Sequence, residues 1–275
     1  MDKLKPSIRF AIMCSGTSMQ KWQADTITTL LEHNQITCSL IIFHNKNQPK
    51  KKEPLKNILW TTYLSRIKTQ SKALQIVDLS QILTDVPTLD CQTIRKGKFS
   101  EYFDKSDIAK IKEYDLTFIL KLSRGIIKGD ILQSSAYGVW SFHHDDEMKY
   151  RGRPSCFWEI YNEDPVTGAI LQKLTDRLDG GVVLKKEFFK TYICYKDNID
   201  QVYLNSSAWP SQVCIDILNG YTDYLQQEPS KTTAPLYYLP TNKEFVQFLL
   251  KTNLKRLQDK WNQFQSKFGL WTKRE

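Results

Sequence analysis

The stretch SFHHDDEMKYRGRP, residues 141–154, sets two of the chain's four histidines side by side and follows them at once with three acids. Imidazoles and carboxylates together can ligate a metal, and a histidine held by a carboxylate can move a proton at a reacting amine or carbonyl. The same residues can also form a solvated, charged loop. In an extended segment side chains alternate between faces, which puts His143 with Asp145 and His144 with Asp146 on opposite sides. That alternation separates the two histidines. The chain also has no HExxH, no second histidine cluster and no paired cysteines to complete a metal site, so no metal is expected. Acid–base work needs a carboxylate partner. Asp179, in Leu178-Asp179-Gly180-Gly181, can supply one, because two glycines let the backbone approach a ligand closely. A carboxylate there would orient an imidazole and favour its protonated form. On composition and spacing alone, a solvated acidic turn stays open as the alternative.

The elements that must position these groups follow from periodicity. Ile8–Cys14 is an apolar run broken by Ser15-Gly16-Thr17-Ser18. A helical pattern then covers about residues 20–33, with Trp22, Ile27, Leu30 and Leu31 on one side, and Ile36–Phe43 is a second strand. Strand, small-residue turn, helix and strand make the opening unit of a parallel α/β sheet. The pattern continues with a helix from Pro54 to Lys72, a strand over Leu74–Asp78, a helix over Ser106–Glu113 and a strand over Asp115–Leu120. A loop at 123–132 enters a short helix, and a strand at Tyr137–Phe142 delivers the histidine motif to its carboxyl end, where open parallel sheets bind ligands. A helix over Cys156–Asn162 and strands over Ala169–Leu174 and Val182–Phe188 follow. Beyond them, Ser206–Leu225 and Asn242–Phe268 read as helices. The expectation is an α/β protein: a Rossmann-like sheet domain over 1–204 with a helical extension over 205–275.

The bulk composition narrows the function classes. Of 275 residues 41% are hydrophobic and 25% charged, which excludes an intrinsically disordered chain. The longest apolar runs are too short to span a bilayer, and the first residues lead straight into a strand rather than a signal peptide. Six scattered cysteines without a CxxC pair suit a reducing, cytoplasmic location. A net charge of +9 favours anionic partners such as nucleotides, phosphorylated or polyglutamylated small molecules, RNA or a lipid surface. The basic stretch Asn45–Lys56, with Lys46, Lys50, Lys51 and Lys52, is a solvated loop or an anion-contacting one. In the C-terminal segment Phe245, Phe248, Leu249, Leu254, Leu257, Trp261, Phe264 and Phe268 lie near helical spacing among eight basic and three acidic residues from Lys243 to Glu275. Such a helix docks on its own domain, joins a homodimer or lies on a membrane surface.

GVWSFHHDDEMKYRG resembles a formyltransferase motif in which Gly-Val-x-Asn-x-His, a short loop and Tyr-Arg-Gly follow in order. LTDRLDGGVVL resembles the same family's Leu-Asp-x-Gly segment, SRGIIKGDIL the loop before its catalytic strand, and CSGTSMQ the first turn of the glycinamide ribonucleotide type. The resemblance runs over roughly residues 8–190. It implies the formyltransferase fold, 10-formyltetrahydrofolate as formyl donor, no metal, and a primary amine as acceptor. His143 would serve the developing oxyanion and proton transfer, with Asp179 holding its imidazole. Leu122, Ser123, Arg124, Gly125, Ile126, Thr175, Asp176 and Leu178 would line the pterin pocket. Ser15, Gly16, Thr17, His144, Asp145, Tyr150 and Arg151 would face the acceptor, the first three presenting backbone N–H groups to a phosphate or nucleotide.

Three departures qualify the implication. Ser141 stands where the family has asparagine, and losing one oxyanion donor costs roughly 10²–10³ in rate unless another group substitutes. The family's apolar loop after the histidine is replaced by the acidic His144–Met148, which suits a cationic amine or else is simply exposed. The segment after 205 lacks the alternating strands of a β-barrel, which argues against transfer RNA, and against nucleic acid generally, as acceptor. The leading expectation is therefore N-formylation of an amino sugar, nucleotide-linked, by a cytoplasmic one-carbon transferase. The alternatives are a folate-pocket binding or regulatory protein without turnover, because of Ser141, and a formyltetrahydrofolate hydrolase.

Overall fold

The computed structural model describes residues 7–44, 54–97, 100–178 and 180–267. Asp179, the lysines of the basic stretch (Lys46, Lys50, Lys51 and Lys52) and Phe268 lie outside the described residues.

The central sheet has seven strands: β1 (Ile8–Cys14), β2 (Ile36–Phe43), β3 (Thr88–Asp90), β4 (Phe118–Lys121), β5 (Val139–His143), β6 (Val166–Lys173) and β7 (Val182–Lys190). Their order across the sheet is β7-β6-β5-β4-β1-β2-β3. β1 to β5 run parallel, whereas β6 lies antiparallel to both β5 and β7. β1 and β4 are covered on both faces, which is why they read as near-continuous apolar runs. On one face Phe10, Phe118 and Trp140 form a stacked ladder, with ring centroids 5.4 and 3.9 Å apart. On the other face Ala11, Met13, Leu40, Ile42, Ile119 and Val139 form a separate aliphatic core.

The helices are α1 (Lys21–Leu31), α2 (Ile58–Gln70), α3 (Lys105–Lys112), α4 (Trp158–Tyr161), α5 (Tyr195–Ser206), α6 (Trp209–Leu218) and α7 (Asn242–Lys267). α1, α2, α5 and α6 send Trp22, Trp60, Val202 and Trp209 into the aromatic face, while Ile108 and Ile111 of α3 join the aliphatic one. The helix expected over 206–225 starts in the wrong place. Residues 195–206 already form α5, and a separate α6 begins three residues later. The hydroxyls of Ser206 and Ser207 bond back to the carbonyls of Tyr203 and Leu204, and Pro210, which has no N–H to give, opens the new helix. A boundary at 204 therefore cuts a helix.

Two further differences bear on the site. Ile76–Asp78 leaves the central sheet and pairs antiparallel with Ser18–Gln20, just after the first turn. The loop expected at 123–132 contains a strand, Ile126–Lys128, that joins Thr93–Lys96 and Ser100–Phe103 in a side sheet over the aliphatic face.

At its start α7 docks: Phe245 and Phe248 are buried against Trp60, Tyr63 and Phe157. Farther along, Leu254, Leu257, Trp261 and Phe264 are 66, 64, 61 and 50% exposed. Among the described residues no helix is long and apolar enough to cross a membrane.

Candidate active site

The carboxyl ends of β1, β2, β4 and β5 bring Cys14, Phe43, Lys121 and His143 to one edge of the sheet. His143 is 8% exposed, and its Nε2–H donates to the carbonyl of Tyr150 at 3.0 Å. A carbonyl can only accept, so the neutral ring carries its proton on Nε2 and Nδ1 is its basic atom. Asp145 Oδ2 lies 3.9 Å from the same Nε2, on the side that strand alternation assigned to it. Residues 143 and 145 thus share a face, as expected.

His144 turns the opposite way, into the aromatic core. Its ring stacks on Tyr203 at 3.9 Å, meets Trp22 edge-on at 4.9 Å, and reaches Ser206 Oγ at 3.2 Å. Burial, with the neighbouring His143 charge, pushes its pKa down to about 3. This is a neutral packing residue, and the acceptor-side placement expected for it is corrected accordingly.

The acidic loop is not exposed either. Asp145, Asp146 and Glu147 are all buried. Asp145 accepts the Cys156 backbone N–H at 2.7 Å, and Lys186 on β7 bonds Asp146 at 2.7 Å and Glu147 at 2.9 Å. Charge that looks available in the sequence is used internally. The acceptor-contact reading of Asp145 is corrected on the same ground.

Tyr150 and Arg151, also expected on the acceptor side, have other partners. The Tyr150 hydroxyl donates to Asp164 at 2.6 Å. Arg151 donates through Nη2 to the carbonyl of Leu178 at 3.0 Å and through Nη1 to that of Ala234 at 3.3 Å. It therefore anchors the residue immediately before Asp179. On the other side of Asp179, a Cβ at Gly181 would collide with the Lys173 carbonyl, so this close approach requires glycine. Gly181 N–H donates to Gln172 Oε1 at 3.1 Å and its carbonyl accepts from Ser230 N–H at 2.9 Å. Both flanks of the aspartate are fixed.

The loop 174–178 and β5 together line an open cavity of about 130 Å³ with Lys121, Gly125, Ile126, Ser141, Gln172, Thr175 and Leu178 among its walls. Four residues expected around the pterin, Gly125, Ile126, Thr175 and Leu178, thus meet at Ser141. Asp176 stands aside, accepting the Gly129 N–H at 3.0 Å. Leu122 and Arg124 instead line a second, larger cleft of about 360 Å³ with Cys14, Ser15, Gly16, Gln20 and Gln23, where α1 begins. Thr17 uses its carbonyl to accept the Leu79 N–H.

Sequence reasoning missed the polar group between the two clefts. Lys121, ending β4, is 7% exposed and donates to the Ser123 carbonyl at 2.6 Å. Burial pushes its pKa down to about 8, against the attraction of Glu101. His44 bridges Ser123 Oγ at 2.9 Å and Glu101 Oε2 at 2.8 Å, and Arg95 reaches Glu101 at 3.2 Å. Burial lowers the His44 pKa, and the Lys121 charge lowers it further. The available signal was a lysine closing a buried strand at the ligand-binding edge. Among the described residues no group of three His, Cys, Asp or Glu could hold a metal ion.

No protein-family model matches the chain. Its sequence is similar to methionyl-tRNA formyltransferases: 31% identity over 88 residues with that of Prochlorococcus marinus, covering 32% of this chain and 26% of the relative, and 25% over 182 residues with that of Clostridium tetani, covering 64% and 55%. The chain thus spans about a quarter and about half of the length of these curated relatives. Among solved structures, phosphoribosylglycinamide formyltransferase from Anaplasma phagocytophilum superposes with a TM-score of 0.54 at 11% identity, covering 78% of this chain and 88% of that one. An N-formyltransferase from Helicobacter canadensis, in complex with folinic acid and dTDP-3-aminofucose, gives 0.51 at 11% identity, covering 84% and 70%. The fold of this chain is that of the formyltransferases, a family its sequence also resembles.

Proposed function

We propose that this protein, with its formyltransferase fold, transfers a formyl group from 10-formyltetrahydrofolate to a primary amine carried by an amino sugar, itself nucleotide-linked. The observation that carries the reading is the convergence at β5: Ser141 lines a cavity together with the loop that leads into Asp179, and His143 follows two residues later with Nε2 pinned. An amine attacking a formyl carbon generates an oxyanion and must lose a proton. His143, through Nδ1, is the group to take that proton. Asp179 holds the imidazole and favours its charged form.

The site residues suit a folate donor. A flat pterin needs a slot with apolar walls and a few polar partners, and the pocket at Ser141 sets Ile126, Phe142, Leu174 and Leu178 beside Thr175 and Gln172. The cleft beside the first turn, with Arg124 at its rim, suits an anionic, nucleotide-bearing acceptor. Among the described residues beyond β7 the only strand is the two-residue Leu236–Tyr237. The Helicobacter canadensis neighbour, bound to folinic acid and a dTDP-amino sugar, has the ligand pair this reading assigns.

The test is calorimetric titration with 5-formyltetrahydrofolate on wild type and Asp179→Ala, followed by a panel of amines with 10-formyltetrahydrofolate. Binding that weakens in the variant, and formyl transfer to a nucleotide-linked amino sugar, are expected. Absence of binding to wild type would refute the donor. Formate release without any acceptor would make the protein a hydrolase, and binding without turnover a regulatory one, the reading that Ser141 favours.

A further inference from the structure

Ser141 puts a single short hydroxyl donor where the family pattern has an amide, and a buried lysine lines the same cavity. β4 and β5 are parallel neighbours in which Ile119 pairs with Val139 and Leu120 with Trp140. Strand alternation then puts Lys121 and Ser141 on the same face of adjacent strands, and both line the same cavity. Lys121 is buried and has three N–H donors. Among the described residues its one hydrogen bond goes to the Ser123 carbonyl, at 2.6 Å. Glu101, the nearby acid, is occupied by His44 and Arg95 instead. A buried ammonium with donors to spare, placed at the ligand-binding edge of a sheet, is costly unless it meets a ligand.

We propose that Lys121 contacts the substrate during formyl transfer, donating from its ammonium group into the cavity beside Ser141 and supplying a charged donor in place of the family's amide. This rests on the formyl-transfer reading above. As the acceptor nitrogen bonds to the formyl carbon, the carbonyl π pair moves to the oxygen, and Lys121 donates to that oxygen while keeping its own proton. Collapse re-forms the C=O bond and breaks the bond to the folate nitrogen. The proton that leaves the acceptor nitrogen passes through His143 to that departing nitrogen. A charge-assisted donor is stronger than a neutral amide, so the exchange conserves catalysis rather than forfeiting it.

The experiment reads binding rather than turnover. 5-Formyltetrahydrofolate, whose carboxylates stay ionised throughout, is titrated calorimetrically from about pH 7 to about pH 9 into wild type, Lys121→Met and Lys121→Met/Ser141→Asn. The charged groups facing Lys121 are Glu101 from the side sheet and His44 after β2, while the Arg177 guanidinium, from the 174–178 loop that shares the cavity, bonds the carbonyls of Ser230 and Thr232. Wild-type affinity falls as pH rises through about 8, where Lys121 loses its charge. Lys121→Met binds about tenfold or more weakly, without that pH dependence, and Ser141→Asn restores part of the loss. A flat wild-type profile across that range overturns the proposal without any variant, as does a Lys121→Met protein that binds like wild type. No binding by wild type sinks the donor reading, and this inference with it.

Discussion

Arg151 reaches across the site to donate to the carbonyl of Leu178 at 3.0 Å, so the Tyr-Arg-Gly motif and the loop that carries Asp179 are one mechanical unit. The arginine is not spent on a ligand. Its guanidinium joins Leu178 to Ala234 through two separate nitrogens, a span that the single nitrogen of lysine does not reproduce. Arg151→Ala and Arg151→Lys are both expected to weaken 5-formyltetrahydrofolate binding by about tenfold, from the loss of one or two charged hydrogen bonds of ~1.5–3 kcal/mol each. Unchanged calorimetric affinity in either variant would remove the anchoring role.

His143→Ala and Asp179→Ala are expected to lower formyl transfer by about 10²–10⁴ while circular dichroism remains that of wild type. Full activity in either protein refutes the assignment of proton transfer. A loss confined to KM would shift that residue from chemistry to binding.

His144 makes the folded state sensitive to acid. Its pKa in the fold is about 3, below the ~6.5 of an unfolded histidine, so the unfolded chain binds the extra proton between those values. Its contribution to stability is present in full above pH ~6.5 and is lost as pH falls towards about 3, at up to ~1.4 kcal/mol per pH unit. His144→Phe retains a stacked ring against Tyr203 and removes the titration. Urea unfolding at several pH values should show a shallower acid slope in that variant, and identical slopes would contradict the assignment.

Glu159 works in the opposite direction. It is fully buried, and burial pushes its carboxyl up to about 8 against hydrogen bonds from its own backbone and Asp145, with Asp164 and Asp146 adding to the rise. The unfolded group ionises near 4.3, so stability falls as pH rises from there towards 8. Glu159→Gln should raise stability at pH ~8 by about 1–3 kcal/mol while changing little at pH ~4. Denaturant melts at the two pH values decide the matter, since an equal effect at both would exclude ionisation as the cause.

Along α7 the energetic weight lies at the start. Phe248→Ala is expected to cost about 3–5 kcal/mol, as it empties a site among Tyr63, Phe157 and Phe245, whereas Leu257→Ala should stay within about 0.5 kcal/mol. Comparable losses by chemical denaturation would mean that the exposed half of the helix is covered in solution.

Apolar runs and their breaks carried most of the architecture. β1 and β2 have the expected bounds, β5 lies within two residues of its own, and His143 stands at that strand's end. Elements whose buried faces are polar were illegible. α5 buries Asn198 and Asp200, which bond Thr167 and Ser71 from other elements, and no local window can show that such residues are satisfied. The acidic loop misled for the same reason: its counter-charge is Lys186, 40 and 39 positions away from the two acids it pairs with. Lys121 was visible as a residue, yet its burial depends on a side sheet formed partly by the Thr93–Lys96 strand, which has no apolar pattern of its own.

The seam between Arg151-Gly152 and Leu236-Tyr237 gives the C-terminal region a role that its helical character conceals. Gly152, at φ +98°, pairs there in parallel, and a Cβ would strike the Tyr237 carbonyl. Thr232 bonds the Glu147 carbonyl from the same segment, and Arg177 bonds the Thr232 carbonyl. The wall of the site is thus built from chain more than eighty residues downstream of the histidine motif. A site built this way is not portable: a graft of the first two hundred residues would carry Ser141 and His143 without the masonry behind them. Insertions that a surface tail would absorb elsewhere would be felt here at the reacting atoms.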